Sequence, residues 1–210
     1  MGMERQAALN HVEAWVRETL EANTKRAHGW LHTDRVRCNI RVLAPAESVD
    51  PFLAELAALL HDVGRTQAGP ETEHGARSAM MAAPVLEDLP LTQGEREAVL
   101  HAIRWHNSAR DDTALLCVLR DADMLDGLGA MGIIRAFMSK SHLPPYDPEA
   151  PFADNDDRWP PLFSSDQFLG QMAWYDRLNT ETARQMAEDR FALMRAFRIQ
   201  ARQEAGADDG

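Results

Sequence analysis

Cysteine, lysine and long apolar stretches are scarce in this sequence of 210 residues, and each scarcity excludes a class of protein. The two cysteines, Cys38 and Cys117, lack the spacing of a cysteine metal site, and we expect buried free thiols in a reducing compartment rather than a disulfide. No apolar run approaches the length of a membrane span, and the first twenty residues carry charges that a signal peptide lacks. The sequence therefore predicts a cytoplasmic protein without a membrane partner.

Positive charge is also in short supply, because 22 basic residues face 33 acidic ones and leave a formal net charge of −11. This balance argues against a surface for long nucleic acids, and a polyanionic substrate would need a local positive patch. All the basic residues except Lys25 and Lys140 are arginines, whose planar guanidinium matches a phosphate group better than an ammonium does. The composition, 45% hydrophobic and 26% charged, is typical of a globular chain with one sizeable core.

Apolar residues recur with a helical period along almost the whole chain, which predicts an all-α fold. In the first helix we expect one buried stripe made of Leu9, Val12, Val16 and Leu20. The motif TQGE at residues 92–95 has the form of a capping box and predicts a helix that continues to about residue 106. Other helices are predicted over residues 24–43, 51–63, 72–86 and 112–125, and from about residue 127 through 137.

A stretch rich in proline and aspartate interrupts the helical period from residue 139 to residue 165. Its prolines cannot sustain a helix, and so long a connection in a compact domain is usually a lid, a binding loop or a partner contact. Helical period resumes over about residues 166–204, with a break near Asn179-Thr180. We therefore expect a single domain, with a core over about residues 24–138, this loop, and C-terminal helices.

The adjacent pair His61-Asp62, at the end of an apolar helix, is unfavourable in an apolar core but could supply two ligands of a metal site. Burying an unpaired carboxylate is costly, whereas an imidazole and a carboxylate can both bind one divalent cation. Residues three, four or seven apart share a face of a helix, which identifies further inward ligands. The candidates on apolar stripes are His32 with Val36 and Ile40, His106 with Val99 and Ile103, and Asp123 with Leu116 and Leu119. The direction of His74 stays open.

Other polar residues stand near these candidates in the sequence. At helical pitch Asp121 lies about 200° around the helix from Asp123, and we expect Asp123 to be the buried carboxylate. For Asp121 and Asp126, a hydrogen bond to a ligating histidine and a solvated helix face both stay open. For His28, four residues before His32, a substrate contact, a contact with a ligand and simple surface exposure all stay open.

The order His32, His61-Asp62, His74, His106 and Asp123 resembles the HD-domain metal-dependent phosphohydrolase superfamily over most of the chain. The surrounding residues are most similar to a bacterial HD branch that includes nucleoside triphosphate pyrophosphohydrolases. The motifs that carry this similarity are HGWLH (28–32), HAIRWHNS (101–108), DAD (121–123), GLGAMG (127–132) and LNTETA (178–183). The resemblance implies a helical domain in which a metal is held by His32, His61, Asp62 and Asp123. His74 and His106 stand where two-metal members of the family add histidines. The sequence is compatible with either one or two bound metal ions.

Ligands of these types suit Mn²⁺, Fe²⁺, Mg²⁺, Zn²⁺ or Co²⁺. Such an ion can bring the pKa of a bound water from 15.7 to about 7, which provides a hydroxide for attack on phosphorus. Asp62 and Arg65 are the predicted catalytic residues, and Arg65 is also the first phosphate-binding candidate, because its place resembles that of a basic residue in HD enzymes. His101 and Arg104 are further substrate-binding candidates.

The leading hypothesis is a phosphohydrolase that acts on a nucleotide or another small phosphate ester. In its sharpest version the enzyme splits a nucleoside triphosphate into a monophosphate and pyrophosphate. A second hypothesis is a dinuclear iron oxygenase, because the same ligand set on the HD fold holds two irons in a few families and His74 supplies the extra ligand. A third is a non-enzymatic, metal-stabilised regulatory module in which residues 139–165 contact a partner. Monomer and homodimer both stay open.

Overall fold

The computed structural model of the chain describes residues 2–21, 28–108, 112–140 and 170–204. These residues form α-helices and short 3-10 helices and contain no strand, so the all-α prediction is confirmed. The α-helices are α1 (Gly2–Glu21), α2 (Trp30–Ala46), α3 (Pro51–Leu60), α4 (His74–Glu87), α5 (Gln93–Trp105), α6 (Ala114–Asp126), α7 (Gly129–Lys140) and α8 (Glu181–Glu204). The 3-10 helices are Val63–Thr66, Glu71–Glu73 and Gly170–Arg177. None of the helices described is both long and apolar enough to span a membrane.

The chain groups into two compact units. The first comprises the chain up to Asp123 together with the short segment Asn179–Ala183, and the second comprises Met124–Leu178 and the residues from Arg184 onward. The single domain expected from the sequence stays a prediction. Of the predicted loop over residues 139–165, only the first two residues are described, and they belong to α7; the rest lies outside the described residues.

The first unit has its core where the apolar stripes predicted it. The stripe of α1 is confirmed, since Leu9, Val12, Val16 and Leu20 are each at most 7% exposed. Helices α3 and α6 are buried on nearly every side, and α2 and α5 each turn one stripe inward. Buried aliphatic side chains of this kind stabilise a fold by about 1.5–3 kcal/mol each relative to exposure. The helices that carry the polar candidates are therefore fixed by apolar packing.

Several predicted helix ends are wrong, and the differences matter for the site. The helix predicted over residues 24–43 is observed as α2, which begins at Trp30 with Gly29 as its N-cap. Residues 24–27 of the prediction lie outside the described residues. Helix α3 ends at Leu60 rather than at residue 63, so His61 and Asp62 follow the helix instead of belonging to it. The start of α5 is as predicted, with a complete capping box between Thr92 and Glu95. Apolar period locates a buried face, whereas a helix end depends on contacts distant in sequence.

Two glycines bring the helices of the site close together. A Cβ on Gly64 would lie 2.3 Å from the backbone nitrogen of Ser78, so the chain after Asp62 approaches α4 only because residue 64 has no side chain. The Gly64 N–H also donates to the Ser78 hydroxyl at 2.9 Å. A Cβ on Gly75 would lie 2.7 Å from the carbonyl oxygen of Arg104. These contacts place the segment after α3, the start of α4 and the end of α5 beside one another.

The second unit contains α7 and most of α8. Arg135 forms an ion pair of 2.7 Å with Asp126, and the Tyr175 and Phe191 rings stack with centroids 4.5 Å apart. Asp126 is therefore a buried ion-pair partner rather than part of a solvated helix face. The cluster of histidines and carboxylates described below lies wholly in the first unit.

The two cysteines are free, as predicted. Cys38 is exposed and Cys117 is half-buried, so the expectation that both thiols are buried is wrong. Cys38 faces away from the stripe of Val36, Ile40 and Leu43 that α2 buries, because its position lies on the opposite side of that helix.

Candidate metal centre

His61 and His106 each stand immediately after a helix, where backbone carbonyls lack a partner within the helix. The Nδ1–H of His61 donates to the Ala58 carbonyl at 2.8 Å, and the Nδ1–H of His106 donates to the Ile103 carbonyl at 2.7 Å. A carbonyl oxygen only accepts, so each ring carries its proton on Nδ1 and a lone pair on Nε2. Both Nε2 atoms are thereby held in the form that binds a metal.

The two carboxylate oxygens of Asp62 face two sets of donors. On the Oδ2 side, the Nε2 atoms of His32 and His61 lie 3.4 and 3.6 Å from Oδ2 and 3.3 Å from each other. Asp123 extends this set, because its Oδ1 lies 3.4 Å from His32 Nε2. His28 approaches from the same side, with Nδ1 3.0 Å from Asp62 Oδ2.

The Oδ1 side of Asp62 faces two more histidines and an arginine. His74 Nε2 and His106 Nε2 lie 3.4 and 3.7 Å from Asp62 Oδ1, and 3.0 Å from each other. Arg65 places Nε 2.7 Å from the same oxygen and one terminal nitrogen 3.0 Å from His74 Nε2. Asp62 therefore lies between the two donor sets, and its side chain is only 2% exposed.

These donors fit a divalent cation. Atoms that bind one ion at about 2.1 Å lie about 3.0–3.4 Å from one another, close to the separations of 3.0–3.7 Å seen here. Asp62 Oδ1 is buried and accepts no hydrogen bond from the described residues, so a lone pair remains for a ligand. The trios whose donor atoms lie within 4.8 Å of one another include His28–His32–Asp62, His32–His61–Asp123 and His61–Asp62–His106.

Burial and charge set the protonation of the cluster at neutral pH. Burial lowers the pKa of His61 to about 4 and that of His74 to about 3, against the opposing charge of Asp62. Burial alone would raise the pKa of Asp62. The charge of His61 and hydrogen bonds from other histidines have the larger effect, and they hold this pKa well below its usual value. His32 and His61 lower the pKa of Asp123 in the same way. At pH 7 His61 and His74 are therefore neutral and Asp62 and Asp123 are ionised, a combination that favours a cation.

The structure brings together all six residues that the sequence predicted as ligands: His32, His61, Asp62, His74, His106 and Asp123. Arg65 joins them, whereas His101 forms a contact of 2.8 Å with Asp112 and Arg104 is exposed. Within the described part of the chain, neither the His101 nor the Arg104 side chain contacts the cluster. Their predicted roles in substrate binding stay predictions.

The expected burial of the two α6 aspartates is reversed. The side chain of Asp123 is 30% exposed, whereas Asp121 is fully buried. The reason is a contact 58 residues distant in sequence, because Asp121 accepts hydrogen bonds from Asn179 and Thr180. A solvated position for Asp121 is therefore wrong, and no helical period in α6 could have shown it.

His28 is the residue of the site that the sequence left unassigned. Its ring contacts Asp62 and packs edge-on against His32 with centroids 5.3 Å apart, and its side chain is 28% exposed. The only signal in the sequence was its spacing of four residues from His32. Because α2 begins at Trp30, that spacing is not a turn of one helix, and the contact depends on how the chain enters α2.

Comparison with known proteins points the same way as the geometry. A model of the HD domain family matches residues 29–128, a span that contains every residue of the cluster except His28. YpgQ, an uncharacterized protein of Bacillus subtilis strain 168, is 29% identical over 206 residues, which cover 93% of this chain and 92% of YpgQ. A crystal structure of YpgQ in complex with ADP superposes with a TM-score of 0.74 and 27% identity and covers 96% of both chains.

Two further crystal structures support the assignment. An HD-superfamily hydrolase from Bacillus thuringiensis has a TM-score of 0.75 and 28% identity, over 97% of this chain and 100% of that one. A predicted HD-superfamily hydrolase from an uncultured Thermotogales bacterium has a TM-score of 0.68 and 29% identity, over 93% and 92% of the two chains. With an all-α fold, a family model that matches residues 29–128 and a cluster built on an adjacent His-Asp pair, residues 29–128 form an HD domain, and the chain is similar over nearly its whole length to HD-superfamily hydrolases.

Proposed function

We propose that this chain hydrolyses a phosphate ester of a nucleotide or another small molecule, using a divalent cation held by His32, His61, Asp62 and Asp123. The observation that carries the proposal is the environment of Asp62, whose two buried oxygens face the nitrogens of His32, His61, His74 and His106. A carboxylate in a purely structural role would be expected to accept hydrogen bonds on both oxygens. Here Arg65 Nε lies 2.7 Å from Oδ1 as an ion-pair partner without hydrogen-bond geometry, and Oδ1 accepts no hydrogen bond from the described residues.

The residues of the cluster have separate tasks in this proposal. When bound, a divalent cation supplies Lewis acidity to water and offsets negative charge on phosphate oxygens. Asp62 and Asp123 provide the negative charge that holds the cation. The Ala58 and Ile103 carbonyls keep the Nε2 lone pairs of His61 and His106 directed into the cluster. His28 holds Asp62 Oδ2 and so orients the carboxylate.

Arg65 is the proposed phosphate-binding residue. Its guanidinium is nearly buried and lies against Asp62 Oδ1 and His74 Nε2, so it is already inside the cluster. A guanidinium offers five N–H donors in one plane, and it can contact Asp62 and a phosphate oxygen at the same time. The negative net charge of the chain does not oppose this, because the local arginine and the cation determine the potential at the phosphate.

The sharpest version of the proposal is a nucleoside triphosphate pyrophosphohydrolase. The relative YpgQ has been crystallised with ADP, which supports a nucleotide as the ligand of this chain as well. In this reaction the oxygen of water bonds to the α-phosphorus and the bond from that phosphorus to the bridging oxygen breaks. The bonding electrons leave with pyrophosphate, and the protons of water pass to the products and the solvent. Monophosphate and pyrophosphate are formed in equal amounts.

A dinuclear iron oxygenase is the second candidate, and one observation favours it. His74 and His106 face Asp62 Oδ1 at distances that suit a second ion, and some proteins of the HD fold hold two irons with such a set. The two functions differ in what they consume. An oxygenase requires iron and dioxygen, whereas the hydrolase should release phosphate products under anaerobic conditions with Mn²⁺ alone.

The test is product analysis by anion-exchange chromatography. Protein reconstituted with Mn²⁺ is incubated with mixed ribonucleoside and deoxyribonucleoside triphosphates, with and without dioxygen. We expect monophosphate and pyrophosphate in equal amounts from the parent protein and none from Asp62→Ala. Asp88→Ala is the matched control, because Asp88 is an exposed carboxylate at the end of α4, and this variant should turn over like the parent. No turnover of triphosphates with bound metal confirmed would overturn the sharpest version, and no turnover of any phosphate ester would overturn the proposal.

A further inference from the structure

The Oδ1 side of Asp62 contains donors for a cation and already has a cationic side chain among them. Asp62 Oδ1, His74 Nε2 and His106 Nε2 lie 3.0–3.7 Å from one another, as the donors on the Oδ2 side do. Arg65 contacts two of these three atoms, Asp62 Oδ1 at 2.7 Å and His74 Nε2 at 3.0 Å. A divalent ion bound by the same atoms would meet a positive charge at close range.

The position of Arg65 follows from the backbone. Arg65 lies in the 3-10 helix Val63–Thr66, and its N–H donates to the Asp62 carbonyl at 3.0 Å. Its neighbour Gly64 is packed against the backbone of α4, which fixes this short helix beside His74. The Arg65 side chain is 9% exposed. The guanidinium is thus directed into the cluster by a tightly packed turn rather than extended into solvent.

The two sides of Asp62 differ in charge. The Oδ2 side adds a second carboxylate, Asp123, and two negative charges there match one divalent ion. On the Oδ1 side Asp62 is the one carboxylate of the described residues in contact with the donors, and Asp123 acts on His74 and His106 from a greater distance. Arg65 adds a positive charge in direct contact with two of these donor atoms. Electrostatics therefore favours a divalent ion on the Oδ2 side and opposes one on the Oδ1 side.

We propose that the guanidinium of Arg65 takes the place of a second divalent cation, so that this chain holds one ion although it carries the donors for two. Removing the charge of Arg65 opens a cation site formed by Asp62 Oδ1, His74 Nε2 and His106 Nε2. The inference rests on the proposed function only in assuming that the Oδ2 side binds a divalent cation. It assigns Arg65 a task that neither phosphate binding nor fold stability requires.

The test counts metal ions instead of turnover. Metal-free parent, Arg65→Ala and Arg65→Gln are equilibrated with Mn²⁺, and bound metal is measured by mass spectrometry and electron paramagnetic resonance. We expect one ion per parent chain and two per chain in both variants, with the spin-coupled spectrum of a neighbouring pair in the variants only. The second ion should bind at least about ten-fold more tightly to the variants than to the parent. Arg65→Gln keeps an amide near Asp62 and protects the test against a folding defect in Arg65→Ala.

Two controls locate the effect. Arg41→Ala removes an exposed arginine on α2 that pairs with Glu55, and this variant should still bind one ion. Adding His74→Ala to Arg65→Ala should return the count to one. Equal counts in the parent and both Arg65 variants, whether one or two, would overturn the inference and leave the proposed function intact. A count of zero in the parent would overturn both. A gain of the second ion by the Arg65 variants, together with no hydrolysis by the metal-loaded parent, would support the inference and count against the function alone.

Discussion

Replacing Asp121 tests whether one buried carboxylate holds the segment Asn179–Ala183 within the first unit. Asp121 Oδ1 accepts from the Asn179 N–H at 2.8 Å and from its side-chain amide at 2.7 Å. Oδ2 accepts from the Thr180 N–H at 2.8 Å and from its hydroxyl at 2.7 Å. Four short hydrogen bonds therefore end on one fully buried group.

The expected loss of stability follows from these four bonds. A hydrogen bond to a charged acceptor contributes about 1.5–3 kcal/mol, and contributions of bonds that share one group do not add. Asp121→Ala leaves two backbone N–H groups without an acceptor, and we expect it to lower the free energy of unfolding by about 4 kcal/mol. Asp121→Asn keeps one accepting oxygen but turns an amide toward the Thr180 N–H, which should cost about 2 kcal/mol. For a chain of this size these losses correspond to melting temperatures lower by about 12 and 6 °C.

The assay is differential scanning calorimetry of the metal-free proteins at neutral pH. Asp88→Ala, which removes an exposed carboxylate, serves as the control and should melt with the parent. We expect the melting temperature to decrease in the order parent, Asp121→Asn, Asp121→Ala. If Asp121→Ala melts within about 2 °C of the parent, the hydrogen bonds to Asn179 and Thr180 contribute little and the reasoning is refuted.

Three further predictions concern the cluster. A strong chelator should lower the melting temperature by about 5–10 °C if metal was present at 100 times its dissociation constant, and an unchanged curve after proven metal loss would contradict this. His28→Ala should weaken Mn²⁺ binding by about 10–100-fold in calorimetric titration, because Asp62 Oδ2 loses the ring that orients it; unaltered affinity would count against that role. In the metal-free protein, the unfolded chain takes up the His61 proton near pH 6.5 and the folded chain only near pH 4, so stability is constant above pH 6.5 and falls as pH decreases toward 4. His61 should contribute about 3 kcal/mol to this loss, because one pKa unit corresponds to about 1.4 kcal/mol. The pKa of His74 is lowered to about 3, so His74 adds to the loss over the same pH range. His61→Asn should therefore reduce the pH dependence of the melting temperature without abolishing it, and an unchanged dependence would contradict the contribution of His61.

Local sequence patterns were sufficient to predict the class of the fold and most of the cluster, although they left the direction of His74 open and did not assign His28. Apolar period identified the buried faces of α1, α2 and α5, since burial along a helix repeats with the helix itself. The chemistry of His61-Asp62 identified the centre of the cluster, because burying an unpaired carboxylate in an apolar core costs free energy. The capping box located the start of α5 for the same local reason.

The tertiary structure decided which side chains meet. His28 reaches Asp62 across 34 positions of sequence, and Asp121 is buried by residues 58 positions away, so no periodicity within one helix contains either contact. Arg65 was expected to bind phosphate, but its place between Asp62 Oδ1 and His74 follows from the close approach that Gly64 allows. A sequence determines by itself what depends on neighbouring residues, namely helical period, end-capping and ligand chemistry. The distances between donors on different helices depend on how those helices pack, and packing is a property of the whole unit.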